Sequence, residues 1–306
     1  MANMAPVRIK SISEFHRVAG LSSPLHPLVS LVDYSTISNV HANDTPNTVF
    51  DFYSISIKRD LHNKLFYGQQ TYDFDEGVMY FLAPGQVLRL EALENTTSKP
   101  SGWLLLIHPD FLWNTALSKT IGQHDFFGYA CHEALFLSEK EEETINGIIQ
   151  NIGREIRGNI DQFSHQIILA QLDGLLGYAD RFYNRQFITR TISNHRVLSQ
   201  LETILDEYFD QNEQALHGLP SVQFISEKLN VSPNYLSGLL KTLTGFSTQQ
   251  HIHEKVIAVA KQRLSTTDLT VSEIAYELGF GHLQSFSKLF KNKTRQSPLE
   301  FRRAFQ

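Results

Sequence analysis

The stretch SVQFISEKLNVSPNYLSGLLKTLTG, Ser221 to Gly245, has the outline of two short helices joined by a tight turn, and TVSEIAYELGFGHLQSFSKLFKNKT, Thr270 to Thr294, repeats it. In the first copy Ser221 can cap a helix whose apolar side is Val222, Ile225 and Leu229. Asn230 and Val231 make the turn, and Ser232 with Pro233 is an N-cap followed by proline at the first helical position. The next helix places Leu236, Leu239, Leu240 and Leu243 on one stripe and stops at Gly245, leaving Asn234, Ser237, Gly238, Lys241 and Thr242 outside. In the second copy Thr270 and Glu273 form a capping box, Ile274, Ala275 and Leu278 face inward, and Gly279-Phe280-Gly281 turns the chain. Its second helix buries Phe286, Leu289 and Phe290 and exposes Leu283, Gln284, Ser285, Ser287, Lys288 and Lys291.

Helices of this kind can enter a major groove, where glutamine and asparagine suit adenine, lysine suits guanine, and an apolar residue such as Leu283 suits a thymine methyl. The outward residues near the start of each second helix are the ones placed to reach base edges. Ser232, Lys241, Lys291, Lys293 and Arg295 are the phosphate candidates. A helix from Ser247 to Ser265, opened by a capping box of Ser247 and Gln250, would hold the two readers at a fixed separation.

Charge is distributed accordingly. The net charge is -5 over 306 residues. From Ser221 onward, however, about 11 basic side chains face about 6 acidic ones, so the acidic excess lies in the earlier part. A hydrophobic content of 42% and a charged content of 19% are those of a soluble globular chain, long enough for two domains. Cys131 is the only cysteine, which excludes an intrachain disulfide and a thiolate zinc site. The first twenty residues lack an apolar run and the longest one, near Trp103 to Ile107, is too short to span a bilayer, so a cytoplasmic protein with no membrane partner is expected.

Ahead of the repeat, Ser11 and Glu14 predict a short capped helix carrying Phe15 and Val18. From Leu28 to Ile107 the pattern changes to period two. Val49 to Ile57 (VFDFYSISI) reads as one strand, and Val78 to Leu82, Gln86 to Leu90 and Gly102 to Ile107 as three more, which favours a barrel or sandwich. Behind a capping box of Ser138 and Glu141, a helix carries Ile145, Ile148, Ile149, Ile152 and Ile156. The next, Asp161 to Tyr183, carries Ile168, Leu172, Leu175, Leu176, Ala179 and Phe182. That stripe fits packing on the barrel or a dimer seam. Asn184 to His195, mixed in polarity, reads as a linker, and helical periodicity resumes at Val197.

LNVSPNYLSGLLKTLTG from Leu229, VSEIAYELGF from Val271 and SFSKLFKNKTRQSPLEFRRAF from Ser285 together resemble the C-terminal domain of the AraC/XylS family of bacterial transcription regulators, over about the last hundred residues. The resemblance implies that the base-reading positions fall on Asn234, Ser237 and Gly238 in the first copy and on Leu283, Gln284, Ser285 and Lys288 in the second. Gly238 stands where many relatives carry arginine, which removes a guanine contact from the first reader. Arg295 replaces the glycine usual before the Ser-Pro step. Asp75-Glu76-Gly77 followed by Pro84-Gly85 resembles the cupin-like barrel that often precedes this domain, and HPDFL from His108 and LSEKEEETI from Leu137 resemble the helices after it. In the family such a barrel senses a small molecule or mediates dimerisation.

The expected fold is α+β and multidomain: a cupin-like sensing barrel over 1–110, a helical linker or dimerisation segment over 111–185, and an all-α tandem helix-turn-helix domain over 186–306, with units 221–245 and 270–294. The partners implied are double-stranded DNA, a small-molecule effector, a second copy of the chain and RNA polymerase. Phe52, Tyr53, Tyr67 and Tyr80 are the candidates for an effector pocket inside the barrel. No cofactor is expected. His26, His41 and His62 form no His-x-His pair, and His251 and His253, two apart on a helix, point apart and cannot share a metal ion. Cys131 beside His132 reads as a packed small residue rather than a nucleophile. The rival readings are a metal-independent cupin-type enzyme fused to a DNA-binding domain, and a protein-interaction module that no longer reads DNA.

Overall fold

The computed structural model describes residues 7–37, 48–59, 77–88, 101–130, 133–158, 161, 163–189 and 191–304, with the backbone alone for 88 and 191–193. Two compact units divide the chain, Met1–Thr189 and Arg190–Gln306. The first contains β1 (Val7–Ile9), α1 (Ile12–Val18), β2 (Val29–Asp33), β3 (Thr48–Phe50), β4 (Tyr53–Arg59), β5 (Val78–Leu82), β6 (Val87–Leu88), β7 (Ser101–Ile107), α2 (Leu117–Thr120), β8 (Leu135–Phe136), α3 (Glu139–Arg157) and α4 (Ser164–Thr189).

These strands form a three-stranded sheet in the order β1-β3-β6 and a five-stranded one in the order β2-β7-β4-β5-β8. Among the described residues they close no barrel. The single strand expected over Val49 to Ile57 is broken: β3 pairs parallel with β1, and β4 lies between β5 and β7 in the other sheet. Asp51 sits at the break. Its carboxylate accepts from Arg8 Nε at 2.8 Å and its backbone N–H donates to the Ile9 carbonyl, so local pairing with β1 ends the run that alternation alone would continue.

Beyond the break, Ser54, Ile55, Ser56 and Ile57 are all buried, because both faces of the five-stranded sheet are covered. On one face Phe81, paired with Ile55, meets Phe126 at 4.3 Å and Tyr183 of α4 at 6.2 Å, while Trp103 Nε1 donates to Asn146 Oδ1 of α3. On the other face Leu104 and Leu106, paired with Ser56 and Ser54, join Ile9, Ile12, Val32, Phe50 and Phe52 in one cluster under the small sheet and α1. The unit is therefore a layer of sheet and α1, a second sheet, and a helical layer.

The box of Ser138 and Glu141 forms in full and opens α3, whereas at α1 only the Ser11 half forms, Ser11 accepting from Glu14 N–H and the Glu14 carboxylate accepting from Lys10 N–H. Within α3 Glu142, only 5% exposed, pairs with Arg59 and accepts from Gly77 N–H at 3.1 Å and from Asn146 Nδ2 at 3.3 Å. Replacing Glu142 by alanine strands a buried N–H and should cost about 2 kcal/mol, read as a fall in urea midpoint of the intact chain.

All six stripe residues of α4, Ile168 to Phe182, are buried within this one chain, at 0 to 6% exposure, so the packing reading of that stripe accounts for it. The linker expected over Asn184 to His195 is instead helical: α4 runs to Thr189, and α5 (Thr191–Asp210) begins two residues later. Polar side chains misled the periodicity here because they are used inward. Gln186, 1% exposed, accepts from Phe136 N–H and donates to the Ala134 carbonyl, and Arg185 forks onto Glu141 at 2.6 and 3.0 Å.

The second unit is all helical. α5 is followed by α6 (Glu213–His217), α7 (Val222–Leu229), α8 (Pro233–Thr244), α9 (Thr248–Thr266), α10 (Val271–Glu277), α11 (Leu283–Thr294) and α12 (Pro298–Arg303). One core joins them. Leu201, Leu205 and Phe209 of α5 meet Ile225, Leu236 and Leu240 of the first repeat, and Ile274, Phe286 and Phe290 of the second, around Ile252, Val256 and Ala260 of α9. The two repeats are thus halves of one packed body about α9, which makes the connector part of the core rather than a rod between two domains.

Candidate nucleic-acid interface

Each reader is built from local signals. Ser232 accepts from Tyr235 N–H and Pro233 occupies the first turn of α8; Thr270 and Glu273 exchange both capping bonds at α10. In each turn a left-handed residue leads into the second helix, Asn230 at φ 54° and Gly279 at φ 85°. The likeness extends past the helices. Thr244 bonds back to the Leu240 carbonyl and accepts from Phe246 N–H, as Thr294 does with Phe290 and Gln296. Ser247 with Gln250 then caps α9, and Ser297 with Glu300 caps α12, a box the sequence reading passes over.

Gly245 and Arg295 occupy the same left-handed C-cap, at φ 79° and 65°. This pairing aligns α8 with α11 at an offset of fifty residues, Gly281 being the extra residue in the second turn. Leu236 and Leu240 then match Phe286 and Phe290, all buried. Asn234 matches Gln284, Gly238 matches Lys288 and Lys241 matches Lys291. Arg295 bears a Cβ where the backbone favours glycine, so Arg295→Gly should stabilise the unit by about 0.5 to 1 kcal/mol, measured as a rise in Tm.

In the second reader the expected residues come together. Leu283, at 36% exposure, and Gln284, Ser285, Lys288 and Lys291 are all exposed on α11. The first reader is thinner. Asn234 and Lys241 are exposed, Gly238 is half-buried, and the Ser237 hydroxyl lies 3.1 Å from that of Thr248, itself fully buried at the start of α9. Ser237 matches Ser287 on the inward shoulder of its helix. The position that matches Ser285 is held by Tyr235, absent from the sequence-derived set; aligning the two copies across the Gly281 insertion would have found it.

Among the phosphate candidates Lys293 is engaged elsewhere, its ammonium 2.8 Å from Glu254 of α9. Arg263 is tied to Glu277 at 2.6 Å, and Lys255 to Asp206. Lys241, Lys291 and Arg295 are exposed and make no ion pair among the described residues. Unpaired positive charge therefore remains on α8 and α11, although Lys228, Lys261, Arg302 and Arg303 on other helices also make no ion pair among the described residues. His251 and His253 point to separate partners: His251 Nε2 lies 2.9 Å from Thr244 Oγ1, and His253 Nε2 lies 3.0 Å from Gln249 Nε2. Burial lowers the pKa of both.

The pocket candidates of the first unit do not converge. Phe52 is fully buried, stacked on Phe50 at 5.1 Å, in the cluster beneath the small sheet. Tyr53 packs edge-on to Phe127 at 5.1 Å, on the helical face, where burial raises its pKa. Tyr80 pairs with Ser56 and so lies on the opposite face, with the Lys58 ammonium 5.7 Å from its ring. With a side-chain period of two, Tyr53 and Tyr80 cannot line one cavity. Tyr67, with Cys131, His132, His41, His62, Asp75 and Glu76, lies outside the described residues.

Residues 225–304 match the family of the helix-turn-helix domain. Over 111 residues the chain is 24% identical to the regulatory protein SoxS of Escherichia coli, covering 36% of this chain and 97% of that one. It is 26% identical over 113 residues to the HTH-type transcriptional regulator YijO of the same organism, covering 37% of this chain but only 40% of its relative. Among solved structures, the C-terminal domain of the two-component response regulator yesN from Fusobacterium nucleatum is 28% identical, covering 35% of this chain and 98% of that one, with a TM-score of 0.31. The last third of the chain is thus a tandem helix-turn-helix DNA-binding domain. In that region the chain is similar to transcription regulators such as SoxS and YijO, and it spans only 40% of the length of the latter. Among the described residues no helix is long and apolar enough to cross a membrane.

Proposed function

We propose that this chain is an AraC-type transcription regulator that reads a specific duplex sequence through α8 and α11 together, with control exerted by the first unit through a small-molecule effector or through dimerisation. The observation that carries the reading is the exposed polar and basic face of α11, held against α9 by the same core that seats α8. Gln284 and Lys288 supply the direct readout, Leu283 meets a thymine methyl, and Ser285 and Asn234 add polar contacts. Gly238 lets the first reader approach the groove closely but donates nothing. Tyr235 and Ser232 fix its position on the sugar-phosphate backbone. Lys241, Lys291 and Arg295 neutralise phosphates. The first unit, cupin-like or an open two-sheet relative of that fold, would bias DNA affinity by shifting which presentation of the readers is populated.

Gel shifts of the intact chain with salt titration test this reading. The protein should hold an operator selected from a random-sequence pool at least about a thousandfold more tightly than random duplex at physiological salt. Lys241→Ala should weaken operator and random duplex alike and lower the slope of log affinity against log salt by about one. Equal affinity for both duplexes would remove sequence-specific reading.

A further inference from the structure

Within the first unit a cavity of about 300 Å³ opens between the start of β2, the Pro109–Leu112 turn and the facing ends of α3 and α4. It lies away from Phe52, Tyr53 and Tyr80. Phe111, Ile156 and Ile168 form an apolar floor, each no more than 7% exposed. Three carboxylates, Asp110, Glu155 and Asp161, stand beside His26, His165 and Ser164 in the lining, and no lysine or arginine is among the described lining residues. Trp113, 79% exposed, is also among the lining residues.

The polar groups there are already oriented. Asp161 Oδ1 accepts from Phe163 N–H, Ser164 N–H and the Ser164 hydroxyl, and those backbone bonds lower its pKa and keep it ionised. His165 Nε2 lies 2.7 Å from the Phe111 carbonyl, which makes that nitrogen the donor. His26 Nδ1 accepts from Leu28 N–H at 3.1 Å, and burial together with His165 lowers its pKa, leaving a neutral ring. Both imidazoles stand edge-on to Phe111, at 5.5 and 4.7 Å, and fix the floor. His108 Nδ1 lies 3.4 Å from Asp110 Oδ2, while Glu155 and Asp161 make no ion pair among the described residues, so an anion entering this space meets an excess of negative charge. A cation meets carboxylates and the face of an indole.

We propose that this cavity binds an organic cation, an ammonium or quaternary ammonium group carried on an apolar body of a few carbons. The apolar floor takes the body, Asp110, Glu155 and Asp161 take the charge, and Trp113 closes over the cationic carbons. The inference names a ligand class for the effector reading, yet binding itself can be tested without reference to DNA.

The experiment titrates the intact chain with phenethylammonium, neutral 2-phenylethanol and anionic 3-phenylpropionate, followed by calorimetry and tryptophan fluorescence. Saturable binding of phenethylammonium is expected, about tenfold or more tighter than the alcohol, with no binding of the carboxylate. Trp113→Ala and Glu155→Gln should each weaken phenethylammonium by about tenfold. Because Trp113 is exposed, Trp113→Ala should melt with the parent chain, which separates lost binding from lost folding. No saturable binding up to about 10 mM, equal binding of all three probes, or full binding by Trp113→Ala would overturn the proposal. Gel shifts on the same preparation report on the DNA reading separately, so failure of one leaves the other standing.

Discussion

Replacing Gly279 by alanine should unfold the second unit at temperatures where the parent chain is intact, through a loss of at least about 3 kcal/mol. Gly279 has φ 85°, and a Cβ there would lie 2.7 Å from the Gly218 carbonyl carbon, 2.8 Å from the Gln214 carbonyl oxygen and 2.9 Å from Gly218 Cα. All three are backbone atoms, and none can swing aside. Gly218 is itself left-handed and its carbonyl accepts from the Tyr208 hydroxyl at 2.9 Å, so the end of α6 is pinned between α5 and the second turn. Gly245 provides the internal control. It has almost the same φ, 79°, but a Cβ there meets nothing within 4 Å. Gly245→Ala should therefore cost only the conformational part, about 1 kcal/mol. The measurement is the helical circular-dichroism melt of both variants, and equal costs would refute the close approach of the second turn to α6.

The double variant Gln284→Ala, Lys288→Ala should lose the largest share of specific DNA binding. Each base contact is worth about 1 to 3 kcal/mol, so the pair together should weaken a selected operator by about a hundredfold or more. Random duplex, held mainly through phosphates, should lose far less. Asn234→Ala in the first reader should cost about tenfold, because its neighbour Gly238 donates no side chain. Both alanines fall on exposed positions of α11, so thermal stability should stay within about 0.5 kcal/mol of the parent. Competition gel shifts decide the matter; unchanged operator affinity in the double variant would remove α11 as the principal reader.

The helix-turn-helix copies were legible residue by residue because their signals are short in range. Ser221, Ser232, Ser247 and Thr270 each cap a helix by accepting from an N–H three residues on, and the apolar stripes of α8 and α11 follow from spacing alone. Ser237 shows the limit of local reading. Its sequence context cannot tell outer face from shoulder; Thr248, eleven residues away, does. Lys293 likewise looks like its neighbour Lys291 until Glu254 of α9 is beside it.

The N-terminal unit was less legible because its decisive partners are far apart in the chain. Alternation over Val49 to Ile57 predicts one strand. Pairing of β3 with β1, and cover on both sides of β4, produce two strands in two sheets with buried Ser54 and Ser56. The same cover separates Tyr53 from Tyr80. Asn184 to Thr189 reads as linker because Arg185 and Gln186 are polar, and it is helix because Glu141 and Phe136, over forty residues earlier, take up their hydrogen bonds.

Helix starts and the exposed set on α11 follow from residues within a turn or two of one another, and the tandem repeat and the basic charge of the last third are read from the sequence directly. Such local order is set by capping and by side-chain period, which act wherever the sequence occurs. Tertiary contact decided the rest: the joining of both readers into one core about α9, the inward turn of Ser237, the capture of Lys293, the partition of the strands and the carboxylate-ringed cavity beside Trp113. Each depends on which distant group arrives to cover an apolar face or satisfy a buried polar atom, and no window of sequence contains both partners.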